Sequence, residues 1–154
     1  MKEEIKVYRT KEGTIFEVIF LILAIVVWGL IIWFVKQAPD IVPTHFDASG
    51  TPNAWGSAVR TSIPCANITI VGISMMILCY FPKCFNLAEK HKTPRNYALS
   101  IRMLRIFGLF MLLLALVIAW TSLRSTSHSP IPIISIIVIM VIIAIYTSIA
   151  THRN

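Results

Sequence analysis

The stretch TIFEVIFLILAIVVWGLIIWF, Thr14–Phe34, decides the fold of this chain of 154 residues. It contains one charged residue, Glu17, and the seventeen positions after it hold no charged or strongly polar side chain. A helix needs about 20 apolar residues to cross the hydrocarbon core of a bilayer. The stretch therefore predicts a helix that spans a membrane.

Three more apolar runs of similar length follow along the chain. Only 14% of the residues are charged, whereas a soluble domain has about 25%. These features predict an all-α integral membrane fold in a single domain, residues 1–154, with four transmembrane helices and a structured outer loop between helices 1 and 2. The predicted spans are roughly 14–34, 62–81, 104–123 and 131–150.

The start of the first span has the spacing of a capping box. Thr14 and Glu17 could satisfy free N–H groups of the first helical turn between them. The sequence therefore predicts a helix that begins at Thr14, with Glu17 in a capping role. A proton-relay role for Glu17 is the alternative, because ionisable residues inside a membrane are often functional.

The net charge of +7 is unevenly distributed between the two sides of the predicted spans. Basic residues collect on the cytoplasmic side of a membrane, so both termini are predicted to be cytoplasmic and the loop 35–61 to face outward. Orientation accounts for the charge, so the bilayer is the expected partner and nucleic acid is not. The basic residues assigned to the inner side are Lys2, Lys6, Arg9, Lys11, Lys83, Lys90, Lys92, Arg95, Arg102, Arg105 and Arg153, and those outside are Lys36, Arg60 and Arg124.

Several side chains in the spans have structural interpretations. Arg102 and Arg105 are expected to extend to the lipid headgroups, and the basic segment 82–101 is expected to attract anionic lipid. Asn67, Thr69 and Ser74 are expected to bond to neighbouring helices. Two further sets are interpreted as packing residues: the alanines Ala115 and Ala119, and the three cysteines Cys65, Cys79 and Cys84.

The outer loop contains the sequence VPTHFDASGTPNAWGS, Val42–Ser57. Its turn-forming residues predict a folded cap, in which Gly50 takes a positive φ and Asp47 accepts backbone N–H bonds. Trp55 is expected to bury its ring against helix ends. His45 is expected to bond to backbone or to Asp47 across the turn.

This segment resembles the signature of a bacterial membrane domain of unknown function. That domain is also found at the N-terminus of SdpI-type immunity proteins, which protect a cell from a secreted toxic peptide and hold a repressor at the membrane. The residues that carry the resemblance are Pro43, His45, Phe46, Gly50, Pro52, Trp55 and Ser57. The resemblance implies the fold and the bacterial inner membrane, and it suggests an immunity or signalling role. The chain departs from the pattern at Asn53, where an aspartate is usual, at Ala58, where a lysine is common, and in having only four predicted spans.

The leading functional interpretation is a non-enzymatic membrane protein that recognises a secreted peptide or an envelope component through the outer loop. The alternatives are a small transporter or channel subunit and a metal-dependent membrane hydrolase centred on His45. No cofactor or catalytic residue is expected; His45, Asp47 and His128 are the only metal candidates, and their spacing matches no common zinc motif. The predicted binding residues are Pro43, His45, Phe46, Asp47, Gly50, Pro52, Asn53, Trp55 and Ser57.

Overall fold

The computed structural model describes residues 9–85, 87, 88, 91–124 and 129–153. These residues form four long helices and one β-hairpin. Each helix is long and apolar enough to cross a membrane, the second when counted with the 3-10 turn before it. The prediction of a four-helix membrane fold with a structured loop after the first helix is confirmed, and the chain is a multi-pass membrane protein. The elements are α1 (Lys11–Gln37), β1 (Ile41–Phe46), β2 (Pro52–Ser57), a 3-10 turn (Ala58–Thr61), α2 (Ser62–Leu78), a second 3-10 turn (Pro82–Cys84), α3 (Pro94–Leu123) and α4 (Ile131–His152).

The helix α3 is the centre of the bundle, because α1, α2 and α4 all pack against it while α1 and α2 touch each other little. Its buried positions Leu112, Ala115 and Ala119 are fully shielded from solvent. Small residues let helix backbones approach closely in a membrane, so the packing role expected of the two alanines is confirmed. The core also includes Val27 and Ile31 from α1.

The bundle has two ends that differ in structure. At one end, which we call the hairpin end, β1 and β2 connect α1 to α2 as an antiparallel pair. A two-stranded sheet leaves backbone N–H and C=O groups unpaired along both edges, and such edges are not tolerated in hydrocarbon. The hairpin therefore lies outside the hydrocarbon core. The opposite end, where α1 begins and α4 ends, is called the terminal end.

The first helix begins earlier than predicted, and its cap is a different residue. Thr10 is the N-cap, and its hydroxyl accepts a hydrogen bond of 3.0 Å from the Gly13 amide. The predicted capping box at Thr14 is wrong, because Thr14 already lies in the first turn. Glu17 instead accepts hydrogen bonds from Arg9, at 2.8 Å, and from the Tyr80 hydroxyl of the segment after α2.

The third helix also begins ten residues before the predicted span. Pro94 occupies its first turn and Thr93 caps it by accepting a bond from the Asn96 amide, which suits proline because that position needs no N–H donor. The expected role of Arg105 is wrong. Its side chain does not reach the surface but is buried at 5% exposure against Gly13 of α1. Arg102 is exposed and pairs with Glu12.

Polar contacts between helices agree with the sequence in part. The Trp28 indole donates to the Thr69 hydroxyl at 3.2 Å, which joins α1 to α2 as expected for Thr69. Ser74 bonds to the Ile70 carbonyl of its own helix, so its predicted inter-helix bond is wrong. Cys65 and Cys79 are buried as free thiols, in agreement with a packing role, whereas Cys84 is exposed.

Candidate functional site

The turn between the two strands is closed by the side chain of Asp47. One carboxylate oxygen accepts bonds from the Ser49 amide at 2.9 Å, the Ser49 hydroxyl at 2.6 Å and the Thr51 amide at 2.9 Å. Hydrogen bonds to the ionised form favour that form. The Ser49 hydroxyl, followed by the Thr51 backbone, therefore holds the pKa of Asp47 below its ordinary value. The predicted backbone bonds to Asp47 are confirmed.

Gly50 gives the turn its backbone shape. Its φ is 85°, and the described residues contain no other residue with positive φ. A side chain at this angle is disfavoured sterically, whereas glycine adopts it readily. The Gly50 amide donates to the Asp47 carbonyl at 3.0 Å, and the Asp47 amide donates to the Thr51 carbonyl at 2.9 Å. The prediction for Gly50 is confirmed.

His45 bonds across the hairpin rather than within the turn. Its Nδ1 lies 2.5 Å from the side-chain oxygen of Asn53. An amide oxygen can only accept, so the histidine Nδ1 carries the proton and donates it. The expected bond to backbone or to Asp47 is wrong, because His45 pairs in register with Ala54 and the strand irregularity beside it turns the ring toward Asn53.

The remaining motif residues take different positions on the hairpin. Pro43 is buried opposite Trp55, Phe46 is half-buried opposite Pro52, and Ser57 is exposed. The Trp55 side chain is 61% exposed, so the expectation that it packs on helix ends is wrong.

Two small apolar residues anchor the hairpin to the helices. Val42 of β1 and Ala58 of the following turn are buried in the same core as α1 and α3. The Ala58 amide also donates to the Asp40 carbonyl at 3.3 Å, which closes the base of the hairpin. The hairpin is therefore held in place against the bundle, and the face that it presents to the helices is defined.

A pocket of about 310 Å³ lies between the hairpin and three helices. We call it the hairpin pocket. Ligand sites are commonly concave and mostly apolar, with a few polar groups that fix orientation. This pocket has that composition, because its lining combines aliphatic residues with residues that carry hydroxyl, imidazole and carboxylate groups. It is lined by Thr44, His45, Phe46, Asp47, Gly50, Pro64, Ile118, Thr121, Ser122, Ser129, Pro130, Ile133 and Ile134.

The structure thus brings together only part of the predicted site. His45, Phe46, Asp47 and Gly50 line the hairpin pocket. The other predicted residues belong to the two strands but do not line the pocket; they are Pro43, Pro52, Asn53, Trp55 and Ser57.

The helix residues that line the pocket were not predicted from the sequence. Thr121 and Ser122 are the clearest examples, since both are buried polar residues at the hairpin end of α3. A polar pair at the end of an otherwise apolar span was the available signal. It pointed to a position near the outer loop, although only the packing of α3 against the hairpin shows that the two meet.

Two of the three metal candidates lie in the described part of the chain. In the described ranges, no group of three or more His, Cys, Asp or Glu side chains is arranged to hold a metal ion. His45 and Asp47 both line the hairpin pocket. The third candidate, His128, lies outside the described residues.

Comparison with known proteins gives one local similarity. Residues 22–63 match the family model described as a domain of unknown function (DUF1648). The matched part runs from the middle of α1 through the hairpin to the start of α2, and it contains all of the predicted motif residues. This confirms the resemblance to a domain of unknown function, but it gives no link to SdpI-type immunity proteins. No curated protein and no solved structure matches the chain.

Proposed function

We propose that this chain is a non-enzymatic receptor of the bacterial inner membrane that binds a secreted peptide in the hairpin pocket. The observation that carries the proposal is the pocket itself, which is lined by both aliphatic and polar residues. A peptide presents both apolar side chains and amide groups for such a lining. An immunity or signalling role of the SdpI type is the physiological setting that we propose for this binding.

The groups around the pocket support a peptide rather than a purely apolar ligand. Asp47 and His45 line it, together with the hydroxyl residues Thr44 and Ser129. Donors and acceptors placed around an apolar cavity give orientation and specificity to a bound ligand.

A secreted ligand requires that the hairpin face the outside of the cell. We propose this orientation, with both termini in the cytoplasm. The basic residues support it, because the described part of the terminal end carries Arg9, Lys11, Arg95, Arg102 and Arg153, whereas the hairpin end carries few. Cytoplasmic segments of membrane proteins are enriched in Lys and Arg.

The test is survival of cells that express the full chain in medium conditioned by the source bacterium. Ile134 lines the hairpin pocket on α4, so Ile134→Trp should fill the pocket and remove protection. Ile139 lies on the same helix, is 44% exposed and does not line the pocket. Ile139→Trp is therefore the matched control and should protect as the wild type does.

Two outcomes would contradict the proposal. One is full protection by Ile134→Trp at wild-type protein levels in the membrane. The other is toxicity that persists after the medium is treated with protease, because the toxic agent would then not be a peptide.

A different pair of variants distinguishes the hydrolase alternative from the peptide-binding proposal. Glutamine keeps a donor and an acceptor but binds zinc poorly. If His45 acts through its bond to Asn53, His45→Gln should keep much of the protection that His45→Ala loses. Near-stoichiometric zinc in the purified wild type, absent from both variants, would instead support the hydrolase.

A further inference from the structure

A second pocket lies at the terminal end of the bundle, far from the hairpin. It has a volume of about 350 Å³ and is formed where the first turn of α3 meets the last turns of α4. We call it the arginine pocket, because Arg95 and Arg153 both line it. The other lining residues are Tyr146, Ile149 and Ala150.

The two arginines are attached to a rigid joint between α3 and α4. Asn96, next to Arg95, is fully buried. Its side-chain amide donates to the Thr151 carbonyl at 3.1 Å and to the His91 carbonyl at 2.9 Å. The first of these bonds ties the start of α3 to the end of α4, two residues before Arg153. The backbones that carry both guanidinium groups are therefore held at a set separation.

These arginines have no acidic partner in the described part of the chain. Glu12 pairs with Arg102, and Glu17 pairs with Arg9. The two described aspartates, Asp40 and Asp47, belong to the hairpin end. No acidic residue is among the described residues that line the pocket, and two positive groups that share one pocket attract an anion.

We propose that the arginine pocket binds the headgroup of an anionic phospholipid. Guanidinium groups match the geometry of phosphate oxygens and bind them through paired hydrogen bonds. Arg95 and Arg153 would contact the phosphate from two helices, and the Tyr146 hydroxyl adds a neutral donor. Basic pockets between membrane helices are a known form of site for such headgroups.

A lipid fits the surroundings of the pocket better than a soluble anion. The α4 face that leads away from the pocket is apolar and exposed: Ile142, Ile145 and Ile149 are 59%, 54% and 49% exposed. In a bilayer this face contacts acyl chains. A lipid bound by its phosphate could lay its chains along these isoleucines, whereas a free anion would gain nothing from them. Tyr146 sits between the two regions, as tyrosine does at membrane interfaces.

The experiment is native mass spectrometry of the purified full chain in mild detergent. The protein is titrated with phosphatidylglycerol or with phosphatidylcholine of the same acyl chains. We expect phosphatidylglycerol to be retained preferentially. Arg95→Gln and Arg153→Gln should each weaken that retention by about fivefold, which corresponds to the contribution of one basic residue near an anionic lipid.

Lys11→Gln is the matched control. Lys11 is also basic, exposed and at the terminal end, but it does not line the arginine pocket. This variant removes the same charge and should retain phosphatidylglycerol as the wild type does. Thermal unfolding in phosphatidylcholine checks that each variant is folded, and the two arginine variants test the site independently of each other.

Three results would overturn the proposal. Equal weakening in Lys11→Gln would show attraction by diffuse surface charge, and equal retention of phosphatidylcholine would show that the headgroup charge is not recognised. Displacement of the lipid by inorganic phosphate, but not by chloride at the same ionic strength, would assign the site to a free anion.

Discussion

At the scale of single residues, one carboxylate and one glycine determine the turn of the hairpin. Asp47 collects three donors, and Gly50 supplies the backbone angle that lets them converge. Both roles follow from the local sequence, because turn chemistry depends on neighbouring residues. The partner of His45 does not follow from it, since the strand register decides which side chain faces the ring.

The departure at Asn53 has a chemical consequence at the same scale. In this chain the oxygen that accepts from His45 belongs to a neutral amide. The resemblance stated for this segment implies an aspartate at this position, which would provide a charged acceptor. A charged acceptor strengthens a hydrogen bond to histidine and favours its protonated form. The substitution therefore makes the His45 bond of this chain less dependent on charge.

We expect the turn to open in acid. The pKa of Asp47 is lowered in the closed turn by the Ser49 hydroxyl and the Thr51 amide. A group with a lowered pKa stabilises the folded form above its unfolded pKa, here about 4, and that stabilisation is lost as the pH falls through the folded value. Hydrogen-exchange protection of the Ser49 and Thr51 amides should therefore fall below about pH 4.

Two variants separate this effect from general acid damage. Asp47→Asn cannot ionise, so its turn should show weak protection that does not change further in acid. Asp40→Asn should keep the acid transition of the wild type, because the Asp40 side chain does not bond to the turn amides. An unchanged acid transition in Asp47→Asn would mean that another group controls the turn.

At the scale of elements, the helices were predictable in number but not in their ends. Long apolar runs define spans, so four helices were expected and four are described. The ends depend on caps, and Thr10 and Thr93 extend α1 and α3 beyond their apolar runs. The burial of Arg105 was also missed, because it requires the absence of a side chain at Gly13 on another helix.

The contact between α2 and α3 depends on two facing glycines. A Cβ atom at Gly72 would lie 3.0 Å from the Met111 Cβ and 3.1 Å from the Gly108 carbonyl oxygen. A Cβ atom at Gly108 would lie 3.2 Å from the Gly72 carbonyl oxygen. Backbone atoms cannot move aside as the tip of a side chain can. A Cβ atom at either position would therefore push the two helices apart by a few tenths of an ångström.

We predict that Gly72→Ala and Gly108→Ala each destabilise the bundle. Overpacking of a well-packed contact costs about 1–3 kcal/mol, and the loss should appear as a lower midpoint of thermal unfolding in detergent. Gly29→Ala is the control, because nothing lies within 4 Å of a Cβ at Gly29. An equal midpoint in Gly29→Ala and Gly72→Ala would show that α2 and α3 can separate without cost.

At the scale of the whole molecule, α3 connects the two proposed sites. Its last turns contribute Thr121 and Ser122 to the hairpin pocket, and its first turn contributes Arg95 to the arginine pocket. α4 also reaches both, through Ile134 and Ile149. The family match at residues 22–63 includes neither helix. Each pocket is therefore completed by helices outside the matched segment, and this explains why a motif in the loop revealed only part of the site.

The orientation of the molecule gives the last prediction, since four spans place both ends of the chain on one side. The excess of basic residues at the terminal end predicts that this side is cytoplasmic. Cys84 provides a native probe, because it is exposed at the terminal end while Cys65 and Cys79 are buried. A membrane-impermeant thiol reagent should label the wild type only after the cells are permeabilised. Ala48→Cys adds a thiol at an exposed position of the hairpin turn and should be labelled in intact cells.

Labelling of Cys84 in intact cells, with the thiol at position 48 protected, would reverse the orientation. The hairpin pocket would then face the cytoplasm and could not receive a secreted peptide from outside.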